Sequence, residues 1–237
     1  MSNGVREILR LDGICKSYQV GLPTQTDVLH NISFQLDSND FAALVGPSGS
    51  GKSTLLNVMG LLDQPTAGEL YLLQQATSTM TERQRTELRG SEIGFVFQFH
   101  HLIQAFSALD NVLMPLMLNH GKPTAEDRDY ARHLLAQVGL EKLAGRRPSE
   151  LSGGQQQRVA VARALVTKPA LILADEPTGN LDSKSAATVF ELFRKIQVEY
   201  QCAVLLVTHD ERLSSACERT IQLFDGRLQS ADEHQAR

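Results

Sequence analysis

The chain has 237 residues, 23 basic against 27 acidic side chains, a formal charge of −4, and 42% hydrophobic and 21% charged residues. That length buries enough apolar surface for a self-sufficient core, and the slightly acidic balance excludes a basic protein that coats nucleic acid. Three widely spaced cysteines (Cys15, Cys202 and Cys217) exclude a disulfide scaffold, and no apolar run reaches the ~18 residues of a membrane-spanning helix.

Residues 1–11 hold Arg6, Glu7 and Arg10 and no long apolar stretch. With no export signal they predict cytoplasmic residence; the three unpaired cysteines fit a reducing compartment, and without a Cys-x-x-Cys they read as buried small hydrophobes and not as a metal or redox site. Residues 8–18 and 28–36 alternate apolar and polar side chains and read as half-buried strands, with Leu29, Ile32, Phe34 and Leu36 apolar in the second. Residues 41–45 are apolar throughout and stop at Gly46, as in a strand buried on both faces. A helix is predicted over 52–62, a strand over 69–73 after a turn at 65–68, and a helix over 81–89 with Thr81 as its N-cap. Residues 92–99 alternate, which puts Phe95, Phe97 and Phe99 on one face of a strand.

The middle third has helical spacing only. In 124–138, Tyr130, Leu134, Leu135 and Val138 form an apolar stripe opposite Glu126, Asp127, Arg128 and Arg132, and 109–118 is also helical. This predicts a helical subdomain at about 100–165 within an α/β core. Beyond it the order is a helix to about 166, a buried strand at 171–175, a helix at 183–200, a buried strand at 203–208 and a short helix at 211–217. A closing hairpin over 220–229 turns at Asp225-Gly226, where glycine tolerates positive φ. Strands separated by helices predict a mostly parallel sheet. One domain is expected over 5–229, with a polar tail at 230–237.

Gly46-Pro47-Ser48-Gly49-Ser50-Gly51-Lys52-Ser53-Thr54 fits Gly-x-x-x-x-Gly-Lys-Ser between a buried strand and a helix. Glycines let backbone N–H groups wrap phosphates, and the helix N-terminus adds positive potential. Lys52 can reach the β- and γ-phosphates of a nucleotide, and Ser53 can ligate Mg²⁺. The strand at 171–175 ends in Asp175, placed to hold the Mg²⁺ shell, and Glu176 follows at its tip, where it can polarise an attacking water. Leu151-Ser152-Gly153-Gly154-Gln155 has the form of a second anion site: Ser152 as N-cap, two glycines and a helix behind them. A plain helix cap explains Ser152 but not the glycine pair.

With that pentapeptide the chain resembles the ATP-binding-cassette (ABC) ATPases, whose signature it is. The resemblance spans Tyr18 to about Gln229. It implies a P-loop NTPase (RecA-like) core with an antiparallel β subdomain and an inserted α-helical subdomain. It also implies hydrolysis of Mg²⁺-ATP. By resemblance, Gln98 is the Q-loop glutamine that senses Mg²⁺, Asp182 belongs to the D-loop Asn180-Leu181-Asp182, and His209 is the switch histidine at the γ-phosphate. Tyr18 is the aromatic that stacks on adenine. Ser152, Gly153, Gly154 and Gln155 contact the γ-phosphate held by a second copy of the chain, in a nucleotide-sandwich dimer.

Within the family, Phe97-Gln98-Phe99-His100-His101-Leu102, the run 175–182 and the run 27–33 resemble the lipoprotein-releasing (Lol) group. The run 175–182 is shared with MacB-like exporters and FtsE-like complexes, which are alternative readings; a soluble, non-transport ABC ATPase is a third, against which stand the −4 charge and the lack of a tandem cassette. Gln155-Gln156-Gln157-Arg158 departs from the wording expected of the Lol group. The group resemblance implies integral membrane subunits of the LolC/LolE kind as partners, no nucleic acid, and a peripheral position on the cytoplasmic face of the bacterial inner membrane. The segment 98–118 would face those subunits. Two adjacent histidines, His100 and His101, diverge in a strand and lack an evident third ligand, so they do not read as a metal site.

Overall fold

Central strands that are apolar on both sides must be covered on both sides. The computed structural model, which describes residues 6–229, covers them with a second sheet on one face and helices on the other. Four strands form an antiparallel sheet in the order β2-β1-β4-β5: β1 (Glu7–Tyr18), β2 (Thr26–Asp37), β4 (Ala67–Leu72) and β5 (Gln75–Ala76). Six form the larger sheet in the order β10-β9-β3-β8-β7-β6: β3 (Phe41–Val45), β6 (Ile93–Phe97), β7 (Leu171–Asp175), β8 (Ala203–Val207), β9 (Arg219–Phe224) and β10 (Arg227–Leu228). All neighbours in it are parallel except the β9–β10 hairpin. The start of the expected domain at residue 5 and the tail at 230–237 lie outside the described residues.

The period of two sorts the core. Leu171, Leu173, Ala203, Leu205 and Val207 join Ile8, Leu9, Leu29 and Ile32 of the antiparallel sheet, with Leu55, Leu56 and Met59 of helix α1 (Lys52–Met59) between the sheets. Ile172, Ala174, Val204 and Leu206 face the other way, onto α5 (Gly153–Leu165) and α6 (Ser183–Tyr200). Helices α3 (Ala108–His120) and α4 (Ala125–Gln137) pack on α5 and extend that second core through Val112, Leu113, Leu134 and Leu135. The shorter helices are α2 (Glu82–Glu92) and α7 (Glu211–Ser215).

Helix starts follow the capping residues of the sequence. Thr81, Ser107, Thr124 and Ser152 each accept from the N3 backbone while the N3 side chain returns to the cap N–H. Each such cap contributes about 1 kcal/mol. Asn111, fully buried on α3, accepts from the Ile103 N–H at 2.8 Å and donates to the carbonyls of Ile103, Phe106 and Ser107. One amide thus satisfies the turn that leads into the helix.

Helix α2 runs three residues past the expected end at 89, to Glu92, and α7 stops at Ser215, two short of the expected 217. Three further differences have a cause in the structure. The first helix stops at Met59, and Gly60 with left-handed Leu61 (φ 55°) turns the chain away. The strand expected over 92–99 stops at Phe97, because its partner β7 ends opposite at Asp175. Phe95 and Phe97 therefore stack at 5.7 Å, while Phe99 lies beyond the ladder and is exposed. The hairpin to β5 turns on Leu73 and Gln74, both at positive φ, without the glycine that marks such turns in sequence.

Close packing of α5 on β6 depends on Gly94. A Cβ there would sit 2.4 Å from the Ala164 carbonyl oxygen. Gly94→Ala is expected to lower stability by about 1–3 kcal/mol in denaturant unfolding. Gly145→Ala, which meets no atom within 4 Å, is expected to stay within about 0.5 kcal/mol of the parent.

Candidate nucleotide site

The C-terminal ends of β3, β7 and β8 lie side by side, with Asp175 in register with Val207 and Leu44 with Val207 from the other side. Polar side chains banned from the buried strands collect there. A cavity of about 470 Å³ opens at this edge, and Gly46, Lys52, Ser53, Asp175, Glu176 and His209 line it.

The loop between β3 and α1 is braced from behind. The Gly226 N–H of the β9–β10 turn donates to the Ser50 carbonyl at 3.0 Å, and the Gly226 carbonyl accepts from the His30 N–H at 2.8 Å. Gly46 is required by contact, since a Cβ there would lie 2.0 Å from the Leu223 carbonyl oxygen. Gly51 caps α1 in the left-handed region at φ 99°. Lys52 folds across the loop and donates to the carbonyls of Gly46 at 2.8 Å and Pro47 at 2.9 Å. With the first-turn N–H groups of α1, this makes a positive cradle for an anion.

Opposite it stand two carboxylates. Burial raises the Asp175 carboxyl above its ordinary value, the charge of Glu176 raises it further, and Lys52 opposes both. Glu176 takes a left-handed backbone (φ 46°), a conformation that costs a non-glycine residue about 1–3 kcal/mol and concentrates at functional positions. Its N–H donates to the Val207 carbonyl at 2.9 Å, and its carboxylate Oε1 lies 2.8 Å from His209 Nδ1. A carboxylate paired with an imidazole at the mouth of a phosphate cradle can orient a water and accept its proton.

Ser48, Gly49, Gly51 and Thr54 line the cavity as well, whereas Gln98, Asp182, Ser152, Gly153, Gly154, Gln155 and Tyr18 do not. Gln98 follows β6 and exchanges hydrogen bonds with Asn180: its Nε2 donates to Asn180 Oδ1, and Asn180 Nδ2 donates to the Gln98 carbonyl, both at 3.3 Å. Asp182 caps α6, accepting from the N–H groups of Lys184 and Ser185 at 3.0 Å and from the Ser185 hydroxyl at 2.6 Å. Ser152 and Gln155 close their box on the exposed start of α5, and a Cβ at Gly154 would meet Ser185 Oγ at 2.9 Å. The signature turn thus packs on the start of α6 within one chain, away from Lys52. Tyr18 stands at the end of β1, paired with Thr26.

Sequence reasoning did not anticipate how α5 holds the segment after β6. Arg163 is buried on α5 and donates to the carbonyls of His101 at 2.8 Å and His100 at 2.9 Å, and Gln157 Nε2 donates to the Phe97 carbonyl at 3.2 Å. At His100–His101 it is the carbonyls that α5 grips, and the His101 ring packs edge-on to Phe97 at 5.4 Å. The available signal is a lone cation within the apolar run Val159–Leu165. Beside this grip runs a mostly apolar groove of about 390 Å³, lined among others by Phe95, Phe97, His101, Met114, Pro115 and Leu118.

Asp175 carries a testable cost. Its folded value is raised, so the ionised carboxylate destabilises the fold above that value, and the cost fades as pH falls toward the ordinary 3.8. Asp175→Asn is expected to stabilise the ligand-free chain at pH 7, by at most about 1 kcal/mol for a part-exposed group. In thermal unfolding that gain should shrink toward zero below pH 4.

Comparison with known proteins agrees with this architecture. Residues 29–179 match the ABC transporter family. The lipoprotein-releasing system ATP-binding protein LolD 1 of Rhodopseudomonas palustris is 52% identical over 222 residues, covering 94% of this chain and 98% of that protein. The ATP-binding cassette MJ0796, solved as a dimer in a post-hydrolysis state with ADP and Pi, is 40% identical with a TM-score of 0.84, covering 94% of this chain and 97% of that one. CbiO1 of Clostridium perfringens, part of the ABC transporter complex cbiONQ, is 27% identical with a TM-score of 0.85, covering 95% and 88%. The chain belongs to the ABC transporter family and is one of its ATP-binding cassettes.

Proposed function

We propose that the chain is the ATP-hydrolysing subunit of an ABC transporter that releases lipoproteins from the inner membrane toward the outer membrane. The observation that carries the ATPase half is the pairing of Glu176 with His209 at the mouth of the Lys52 cradle. The likeness to LolD 1 over nearly its whole length supports the cargo.

Residues 46–54 would wrap the phosphates, with Lys52 on the β- and γ-groups and Tyr18 against the adenine. The donor set suits Mg²⁺: the Ser53 hydroxyl and the Asp175 carboxylate line one cavity, and Asp175 is half-buried beside a second carboxylate, Glu176, which a cation would offset. Gln98 would complete the set by leaving Asn180. Bound there, Mg²⁺ supplies charge neutralisation at the phosphate oxygens. Glu176 takes a proton of the attacking water, His209 holds the water and the γ-phosphate in line, the water oxygen bonds to the γ-phosphorus, and the bond from the β–γ bridging oxygen to that phosphorus breaks to leave ADP and phosphate. Residues 152–155 of a second copy close over the γ-phosphate, and Asp182 sits between the two sites.

Among the described residues no helix is long and apolar enough to cross a membrane. In this reading the membrane belongs to partner subunits of the LolC/LolE kind. They would seat on the groove of Phe97, Met114 and Leu118, and the cassette would lie at the cytoplasmic face.

Glu176→Gln is expected to keep ATP affinity and lose at least about 100-fold in hydrolysis, measured by calorimetry and phosphate release. Copies with Lys52→Ala mixed with copies with Ser152→Arg should regain partial turnover, because one of their two composite sites keeps both groups. In proteoliposomes holding the membrane subunits and a lipoprotein, release should require ATP and fail with Glu176→Gln. Undiminished turnover in that variant would remove Glu176 as the base. A cassette that hydrolyses ATP but supports no release would overturn the cargo.

A further inference from the structure

Behind Tyr18 lies a charged cluster that the catalytic reading does not use. Lys16 is only 9% exposed, and its Nζ donates to Asp63 Oδ1 at 2.6 Å and to the Gln64 carbonyl at 2.8 Å. The other carboxylate oxygen, Asp63 Oδ2, accepts from the Tyr18 hydroxyl at 3.2 Å. The Lys16 ammonium also lies 4.9 Å from the Tyr18 ring centroid, within cation–π range. Burial works to raise the Asp63 carboxyl, but hydrogen bonds from Lys16 and the Gln64 N–H outweigh it and hold the carboxyl below its ordinary value. Asp63 therefore stays ionised and keeps both partners.

The position of Asp63 gives this cluster its meaning. Asp63 sits just past the end of α1, where its N–H donates to the Asn57 carbonyl at 3.2 Å, and the first turn of α1 is the phosphate cradle. Tyr18 pairs with Thr26, two residues from Val28 in the cavity wall. One helix thus carries the phosphate cradle at its start and the anchor of the Tyr18 ring at its end. A cation on one face of the ring leaves a stacking base only the other face.

We infer that Asp63, with Lys16, is a positioning residue that fixes the Tyr18 ring as the platform for the nucleotide base, and so sets affinity for purine nucleotides without entering the chemistry. The inference rests on the reading of Tyr18 as the base-stacking residue. The platform offers a π face and, in Lys16 and Asp63, no group aimed at a base edge, because both are already engaged with each other and with Tyr18. Such a platform ranks bases by stacking area, purine above pyrimidine, and separates ATP from GTP only weakly.

The test uses the full-length chain and ATP, with Kd by calorimetry, kcat at saturating ATP in the membrane complex, and thermal unfolding of each variant. Tyr18→Ala should raise Kd on the order of 5–100-fold, the range for loss of one stacked base. Asp63→Asn should raise Kd about 3–10-fold with kcat held, and should add nothing further in the Tyr18→Ala background. The Lys16→Met/Asp63→Asn pair leaves no unpaired buried charge, so it should fold and still show the raised Kd. If Asp63→Asn multiplies Kd by the same factor with and without Tyr18, Asp63 does not act through the ring, and the inference fails while the platform reading stands. A Kd unchanged in the Lys16→Met/Asp63→Asn pair, or a fall in kcat at unchanged Kd, also overturns it. An unchanged Kd in Tyr18→Ala removes the platform reading and the inference together.

Discussion

A parallel sheet buried on both faces leaves its polar chemistry nowhere to go but the strand ends, and most of the site follows from that. Between β3, β7 and β8, every side chain from Leu171 to Ala174 and from Ala203 to Val207 is enclosed. The first positions free to carry charge are Asp175, Glu176 and His209, all at one edge. The same edge receives the start of α1, where unpaired N–H groups and Lys52 supply the opposite sign. Burial of the core thus concentrates two carboxylates and one cationic cradle around one cavity. The left-handed backbone of Glu176 is stabilised by its bond to the Val207 carbonyl.

The second consequence concerns what α5 can transmit. Its side chains hold the carbonyls of Phe97, His100 and His101, and its first turn lies against the start of α6 at Ser185. The groove of Phe97, Met114 and Leu118 is built on that same segment. A load on the groove therefore meets backbone that is already tied to the signature helix, and Gln98 stands between the groove and Asn180 of the 176–182 turn. The ties are to main-chain carbonyls, so they depend on how the chain runs after β6 more than on which side chains occupy it.

This division explains what could be read in advance. The phosphate loop was legible because its strand, glycines and helix are contiguous, and Asp175 because a fully apolar strand must end before a charge. Capping boxes at Thr81 and Ser152 are local and span four residues. The hairpin at Leu73-Gln74 was not legible, since its two positive φ values are imposed by pairing with β4 rather than by glycine. Phe99 was misplaced because strand length is set by the partner strand, a contact nearly eighty residues away in sequence. The Gln98–Asn180 exchange and the Arg163 grip are likewise long-range, and Arg163 announces itself only as a cation where an apolar residue belongs.

The separation of the two anion-suited helix starts is the remaining step. Helices α1 and α5 both begin at glycines, and neither carries an acidic residue in its first turn. Each therefore presents an uncompensated positive end. In α1 that end closes on its own cavity. In α5 it opens to the surface, with Ser152 and Gly153 exposed and only Leu181 in van der Waals reach of a Cβ at Gly153. A positive helix end left open at the surface gains little from water and much from a multiply charged anion brought to it. The anion proposed for this fold is the one at the Lys52 cradle, and within one chain the two helix ends do not share a cavity. In the proposed dimer the complement of α5 is the nucleotide of another cassette. Dimerisation in the proposed machine is, in these terms, the pairing of each chain's open helix end with its partner's phosphate charge, so that ATP itself forms much of the contact.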